Sequence, residues 1–113
     1  MTTTANVFRN YIGGRWQEAQ SGQTFPNYNP ATGELIGSFP LSGAAEANAA
    51  VAAAKAAFAR WRLVPAPKRG EILYRAGELL KQHKEELART MTREMGKVLK
   101  EARGDVQEGI DMA

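Results

Sequence analysis

The strongest constraint on the fold lies in the first third of the 113-residue chain, where two phrases each join a turn to short apolar or aromatic runs. They are Tyr11-Ile12-Gly13-Gly14-Arg15-Trp16 and Asn29-Pro30-Ala31-Thr32-Gly33-Glu34-Leu35-Ile36-Gly37. Each predicts a β-hairpin. In the first, strands at Val7–Ile12 and Arg15–Ala19 flank Gly13-Gly14, which supply the positive φ of a tight turn. In the second, strands at Thr24–Tyr28 and Glu34–Leu41 flank a turn with its own chemistry. Pro30 presets φ, Asn29 can bond its own backbone, and Gly33 tolerates left-handed geometry. Ser21-Gly22-Gln23 separates the hairpins. Pro26 and Pro30 confine Thr24–Tyr28 to an edge or irregular role, because proline donates no ladder hydrogen bond. The polar start, residues 1–6, is expected to be disordered.

From Ser42 onward the apolar period changes to that of helices. Ser42 is the expected N-cap of a helix over Gly43–Trp61, with Glu46 near the positive end of its dipole. Its stripe is Val51, Ala54, Phe58 and Trp61, and its many alanines favour helix and close packing. Pro65-Ala66-Pro67 ends it. A second helix over Lys68–His83 carries Ile72, Leu73, Ala76, Leu79 and Leu80 on one face. A third over Lys84–Met95 carries Leu87, Met91 and Met95, which read as core filling. Gly96 is placed to stop it in the left-handed conformation. A fourth begins near Val98, with Leu99, Ala102, Val106, Ile110 and Ala113 in phase to the last residue. With no cap closing that pattern, the chain is expected to be a truncated α+β fragment: two antiparallel β-hairpins followed by about four helices.

Composition excludes several classes. Hydrophobic content of 43% and charged content of 24% are ordinary for a globular protein. No apolar run approaches the roughly 18 residues of a membrane helix, and no secretory signal is visible, so a cytoplasmic protein is expected. The absence of cysteine removes disulfides, thiolate metal sites and a cysteine nucleophile from these residues. Net charge is +3, from 15 basic and 12 acidic residues that are interleaved, as in Lys84-Glu85-Glu86. A nucleic-acid-binding module would cluster its positive charge, so that reading is set aside.

Few residues suggest chemistry by themselves. Gly13-Gly14 lacks both the dinucleotide and P-loop fingerprints and reads as a turn. His83, the one histidine, falls at a helix junction and reads as a solvated surface residue. Asp105, Glu108 and Asp111 stand at i, i+3 and i+6. Such carboxylates could bind a cation or act as an acid–base pair, but a solvated face opposite Val106–Ile110 is the preferred reading.

The two turn phrases recur in order with Ala52-Ala53-Ala54-Lys55-Ala56-Ala57-Phe58-Ala59-Arg60-Trp61, Arg69-Gly70-Glu71-Ile72-Leu73, Thr92-Arg93-Glu94-Met95-Gly96-Lys97 and Glu101-Ala102-Arg103-Gly104-Asp105-Val106. In this order and spacing the chain resembles the N-terminal segment of the NAD(P)-dependent aldehyde dehydrogenase superfamily, with a texture similar to bacterial semialdehyde dehydrogenases. The resemblance implies that residues 7–113 form the N-terminal part of a Rossmann-like NAD(P)-binding domain. It implies oxidation of an aldehyde substrate to an acid in a homodimer or homotetramer, without nucleic acid or membrane. The cysteine nucleophile and glutamate base would lie beyond Ala113, so this piece alone is expected to be inactive, with no catalytic or cofactor-binding residue of its own. Two sets of positions carry over. Asn27, through its backbone carbonyl, and Glu94 match places where some members hold a structural monovalent cation. Asp105, Glu108, Gly109 and Met112 match the helix that lines the substrate entrance. The competing reading is a non-catalytic stand-alone helical scaffold or interaction protein.

Overall fold

Glycine and proline decide where the strands begin and end in the computed structural model, which describes residues 6–113. Of residues 1–6, expected to be disordered, 1–5 lie outside the described residues, and Asn6 is instead paired in a strand, against Gly37. The described elements are β1 (Asn6–Val7), β2 (Asn10–Ile12), β3 (Arg15–Gln17), β4 (Thr24–Tyr28), β5 (Leu35–Pro40), α1 (Ala44–Trp61), α2 (Ala66–Gln82), α3 (Lys84–Met95) and α4 (Leu99–Met112). They fall into two compact units, one ending at Tyr28 and resuming over Glu34–Leu63, the other made of Asn29–Gly33 and Val64–Ala113.

In the first unit both hairpins form as the turn chemistry predicts. β2 pairs antiparallel with β3 around Gly13 and Gly14, whose φ angles are 60° and 80°. Tyr11 and Trp16 face each other across that pair, ring centroids 4.9 Å apart. β4 pairs antiparallel with β5 and is an edge strand, as its proline requires.

The expected strand over Val7–Ile12 is divided in two. Asn6 and Val7 leave the first hairpin and pair in parallel with Gly37 and Ser38 of β5, giving a three-stranded sheet of order β1-β5-β4. Aromatic stacking explains the division. The Phe8 ring lies flat on Phe39 at 4.4 Å, with Phe25 next in the row at 6.0 Å from Phe39. Gly37, buried, leaves the room: an added Cβ there would sit 2.6 Å from both the Asn6 carbonyl oxygen and the Phe8 ring.

α1 starts one residue later than Ser42 predicts. Gly43 is the N-cap, and the Ser42 hydroxyl instead accepts a hydrogen bond from the Asn10 amide at 2.7 Å. None of α1's eighteen residues is buried. α2 begins at Ala66, ahead of the expected Lys68, because Pro67 is tolerated in a helix's first turn, where its missing N–H has no partner to lose.

The second unit is built on small residues. Ala88 of α3 and Ala102 of α4 are fully buried, with Val106 beside them and Met91, Leu99 and Ile110 packed around. Side chains this short let two helices approach closely, with long apolar neighbours closing the gap. α2 joins α4 through buried Gly77, whose added Cβ would lie 3.3 Å from that of Ala113. Gly96 ends α3 with φ 78°, and Pro30 of the Asn29–Gly33 turn packs on it. Of the methionine pair read as core filling, Met91 joins the core. Met95, the last residue of α3, is 59% exposed.

Candidate functional site

α4 is the element on which the sequence placed most of its candidate residues, and its carboxylates are engaged one by one. Asp105 pairs with Lys97, which precedes α4; this hydrogen bond raises the Lys97 ammonium above its ordinary value, since the carboxylate favours the charged form. Asp111 accepts a hydrogen bond from the Gln107 amide at 2.8 Å, and Gln107 in turn accepts one from Lys84 of α3 at 2.7 Å. Glu108 and Gly109 are exposed, and Met112 is 82% exposed. Among the described residues no group of three or more His, Cys, Asp or Glu side chains is placed to hold a metal ion. Glu108 and Asp111 are exposed, as preferred from their spacing, whereas Asp105 is half-buried beside Lys97.

Asn27 lies on β4 in the first unit, half-buried, opposite Gly37 and next to a register shift between Asn27 and Tyr28. Glu94 lies in the last turn of α3 in the second unit and is exposed. Both residues take part in interactions of their own. His83 is an exposed junction residue, its Nδ1 3.0 Å from a Glu86 carboxylate oxygen.

Three polar ties were not anticipated from the sequence. Glu46 of α1 accepts the backbone N–H of Gly43 at 2.7 Å and that of Gln20 at 2.7 Å. The bond from Gly43, then that from Gln20, lowers its carboxyl below the ordinary range. Glutamate three residues after the N-cap is the signal that could have found it, once Gly43 rather than Ser42 is taken as the cap. Glu85 of α3 receives Arg103 of α4 through two hydrogen bonds of 2.8 Å, Nε to one oxygen and Nη2 to the other. Arg89 adds a contact of 2.9 Å, and the carboxyl falls to about 2, chiefly through the Arg103 hydrogen bond. No sequence signal links Glu85 to Arg103, which are brought together by the α3–α4 packing alone. Lys97 with Asp105 is the third tie, and it too depends on the path between those helices.

These ties organise structure; none assembles a nucleophile with a base. No cysteine is present, and no described helix is long and apolar enough to cross a membrane. The glycines with positive φ sit in turns and at the end of α3, not in a loop that opens a helix onto a phosphate.

Comparison with known proteins supplies the larger context. A family model described as the aldehyde dehydrogenase family matches residues 16–113. Malonate-semialdehyde dehydrogenase 2 of Geobacillus kaustophilus is 50% identical over 111 residues, covering 98% of this chain and 23% of that protein. The crystal structure of succinate-semialdehyde dehydrogenase from Burkholderia pseudomallei is 42% identical, with a TM-score of 0.86 over 95% of this chain and 22% of that one. NADP-dependent glyceraldehyde-3-phosphate dehydrogenase from Bacillus halodurans C-125, complexed with NADP, is 32% identical with a TM-score of 0.83, covering 98% of this chain and 23% of its own. The chain therefore spans less than a quarter of the length of the curated relatives it matches.

Proposed function

Because the chain belongs to the aldehyde dehydrogenase family, we propose that it forms the N-terminal portion of an oxidoreductase that converts an aldehyde, a semialdehyde by its relatives, to a carboxylic acid with NAD or NADP. The observation that carries this reading is the 50% identity to a malonate-semialdehyde dehydrogenase across 98% of the chain. In this reading residues 7–113 are the leading part of the cofactor domain and supply scaffold. The described residues hold no glycine-rich phosphate cradle and the sequence holds no cysteine, so they do not fit a dinucleotide or a thiolate reaction. Both belong to sequence outside these residues, and the 113-residue chain alone does not oxidise aldehydes.

The same reading gives the second set of roles. By the resemblance alone, Asn27 and Glu94 are the positions assigned to a structural monovalent cation. The substrate entrance is bordered by Asp105, Glu108, Gly109 and Met112, of which Met112 is 82% exposed and Asp105 is paired with Lys97. The enzyme works in the cytoplasm as a homodimer or homotetramer.

The test is a transplant. Residues 6–113 replace the matching segment of the Geobacillus kaustophilus malonate-semialdehyde dehydrogenase, and reduction of NAD and of NADP is followed with malonate semialdehyde. Activity within about tenfold of the parent, a barrier change near 1.4 kcal/mol, is the expected result. A folded but inactive chimera would refute the assignment.

A further inference from the structure

Arg69, near the start of α2, is half-buried. Its Nε is shielded from solvent and has no hydrogen-bond partner, while the terminal nitrogens of the guanidinium are not so shielded. No ion pair among the described residues includes it. The carboxylate next along the helix, Glu71, is held by Lys68, with both oxygens 3.2 Å from the ammonium. Drawing a guanidinium partly out of water without a partner costs free energy that a carboxylate would restore.

The place on the helix says where that carboxylate comes from. Arg69 stands three residues before Ile72 and four before Leu73, so it shares their apolar face. Ile72 and Leu73 are each 54% exposed, and the 113 residues cover 23% of the relative they match most fully described above. Polypeptide that closes over Ile72 and Leu73 also removes water from the rest of Arg69. A desolvated guanidinium is tolerated when it is paired, and its planar fork takes a carboxylate through two parallel hydrogen bonds. Resting on the function proposed above, we propose that Arg69 receives a carboxylate from the polypeptide that covers this face of α2, a segment of the dehydrogenase outside these 113 residues.

The malonate-semialdehyde dehydrogenase transplant carries the test. Arg69→Met keeps a long apolar stem but strands the carboxylate, so the half-life of the fold on heating, followed by circular dichroism, should drop about tenfold. Arg69→Lys, which keeps the charge and loses the fork, should fall between. Arg75→Met, exposed and off that face, should change nothing. The KM for malonate semialdehyde should be that of the unsubstituted transplant, whose crystal structure should place an Asp or Glu oxygen about 3 Å from a terminal nitrogen of Arg69. An Arg69→Met transplant as heat-resistant as its parent, or a structure with solvent on those nitrogens, overturns the proposal and leaves the enzyme assignment standing. A raised KM without faster unfolding also overturns it, giving Arg69 to the carboxylate of the substrate. If the transplant folds but is inactive, the enzyme assignment fails, and its crystal structure still decides the partner of Arg69.

Discussion

At Gly37 a single hydrogen atom separates the observed sheet from an impossible one. β1, the Phe8 ring and β5 meet where any side chain would have to pass within 2.6 Å of a backbone oxygen. The Asn6 carbonyl belongs to a paired strand and cannot yield as a flexible side-chain tip would. Gly37→Ala is therefore expected to cost about 1–3 kcal/mol, the usual range for overpacking, read as a lower denaturant midpoint at unchanged slope. An alanine variant as stable as the parent would mean that β1 does not sit on β5. Glu46 works differently, tying two backbone N–H groups with one carboxylate. Its carboxyl is lowered in the folded chain, so the stability it adds is present above the ordinary value of 4.5 and is lost as pH falls through the lowered one. Glu46→Gln leaves only one good acceptor for the two donors. It should reduce the melting temperature at neutral pH, with the gap to the parent closing under acid conditions. A gap that stays constant with pH would show that charge is not what Glu46 contributes.

At the scale of elements, sequence and structure agree where the cause is local. α3 runs over the expected Lys84–Met95, because its 3.6-residue stripe and the glycine that stops it are both written in neighbouring residues. The edge position of β4 follows from the missing N–H of Pro26. Agreement fails where the cause is distant. Nothing near Asn6 says that it pairs with Gly37, and nothing near Glu85 says that Arg103 will reach it. The candidate residues on α4 show the same division: the exposure of Glu108 and Asp111 was legible from spacing, while the capture of Asp105 by Lys97 was not. The Glu85–Arg103 tie makes a prediction at this scale. With its folded value near 2, the Glu85 carboxyl adds stability that is complete above its ordinary 4.5 and fades as pH falls toward 2. Both partners are about half exposed, so salt should weaken the effect. Arg103→Gln should bring the Glu85 carboxyl, followed by 13C NMR, up toward its ordinary titration. An unchanged midpoint near 2 would assign the shift to Arg89 instead.

For the whole molecule the decisive contrast is between what is buried and what is not. The buried hydrophobic residues among those described are Ala19, Ala88, Ala102 and Val106, three of them alanines. Phe58 is 59% exposed, Val51 67% and Tyr74 77%, and Ile72 and Leu73 are each 54% exposed, although α1 and α2 carry apolar stripes fit for a core. At roughly 25 cal/mol per Å² of apolar surface removed from water, alanine burial contributes little, while the large side chains that could contribute most stay wet. Periodicity showed that these faces are apolar; it could not show what covers them, because the covering surface is not in these residues. A free-standing scaffold would have turned such faces inward. A segment of a dehydrogenase several times longer leaves them for the rest of the enzyme. The two readings differ in solution. Alone, the 113-residue chain should bind a hydrophobic dye such as ANS and grow in apparent mass with concentration during sedimentation, since exposed apolar patches drive association. Within the transplanted malonate-semialdehyde dehydrogenase, dye binding should fall to the level of the parent. A chain that stays monomeric and dye-free at high concentration would favour the scaffold reading, and the resemblance to aldehyde dehydrogenases would then record ancestry without the activity.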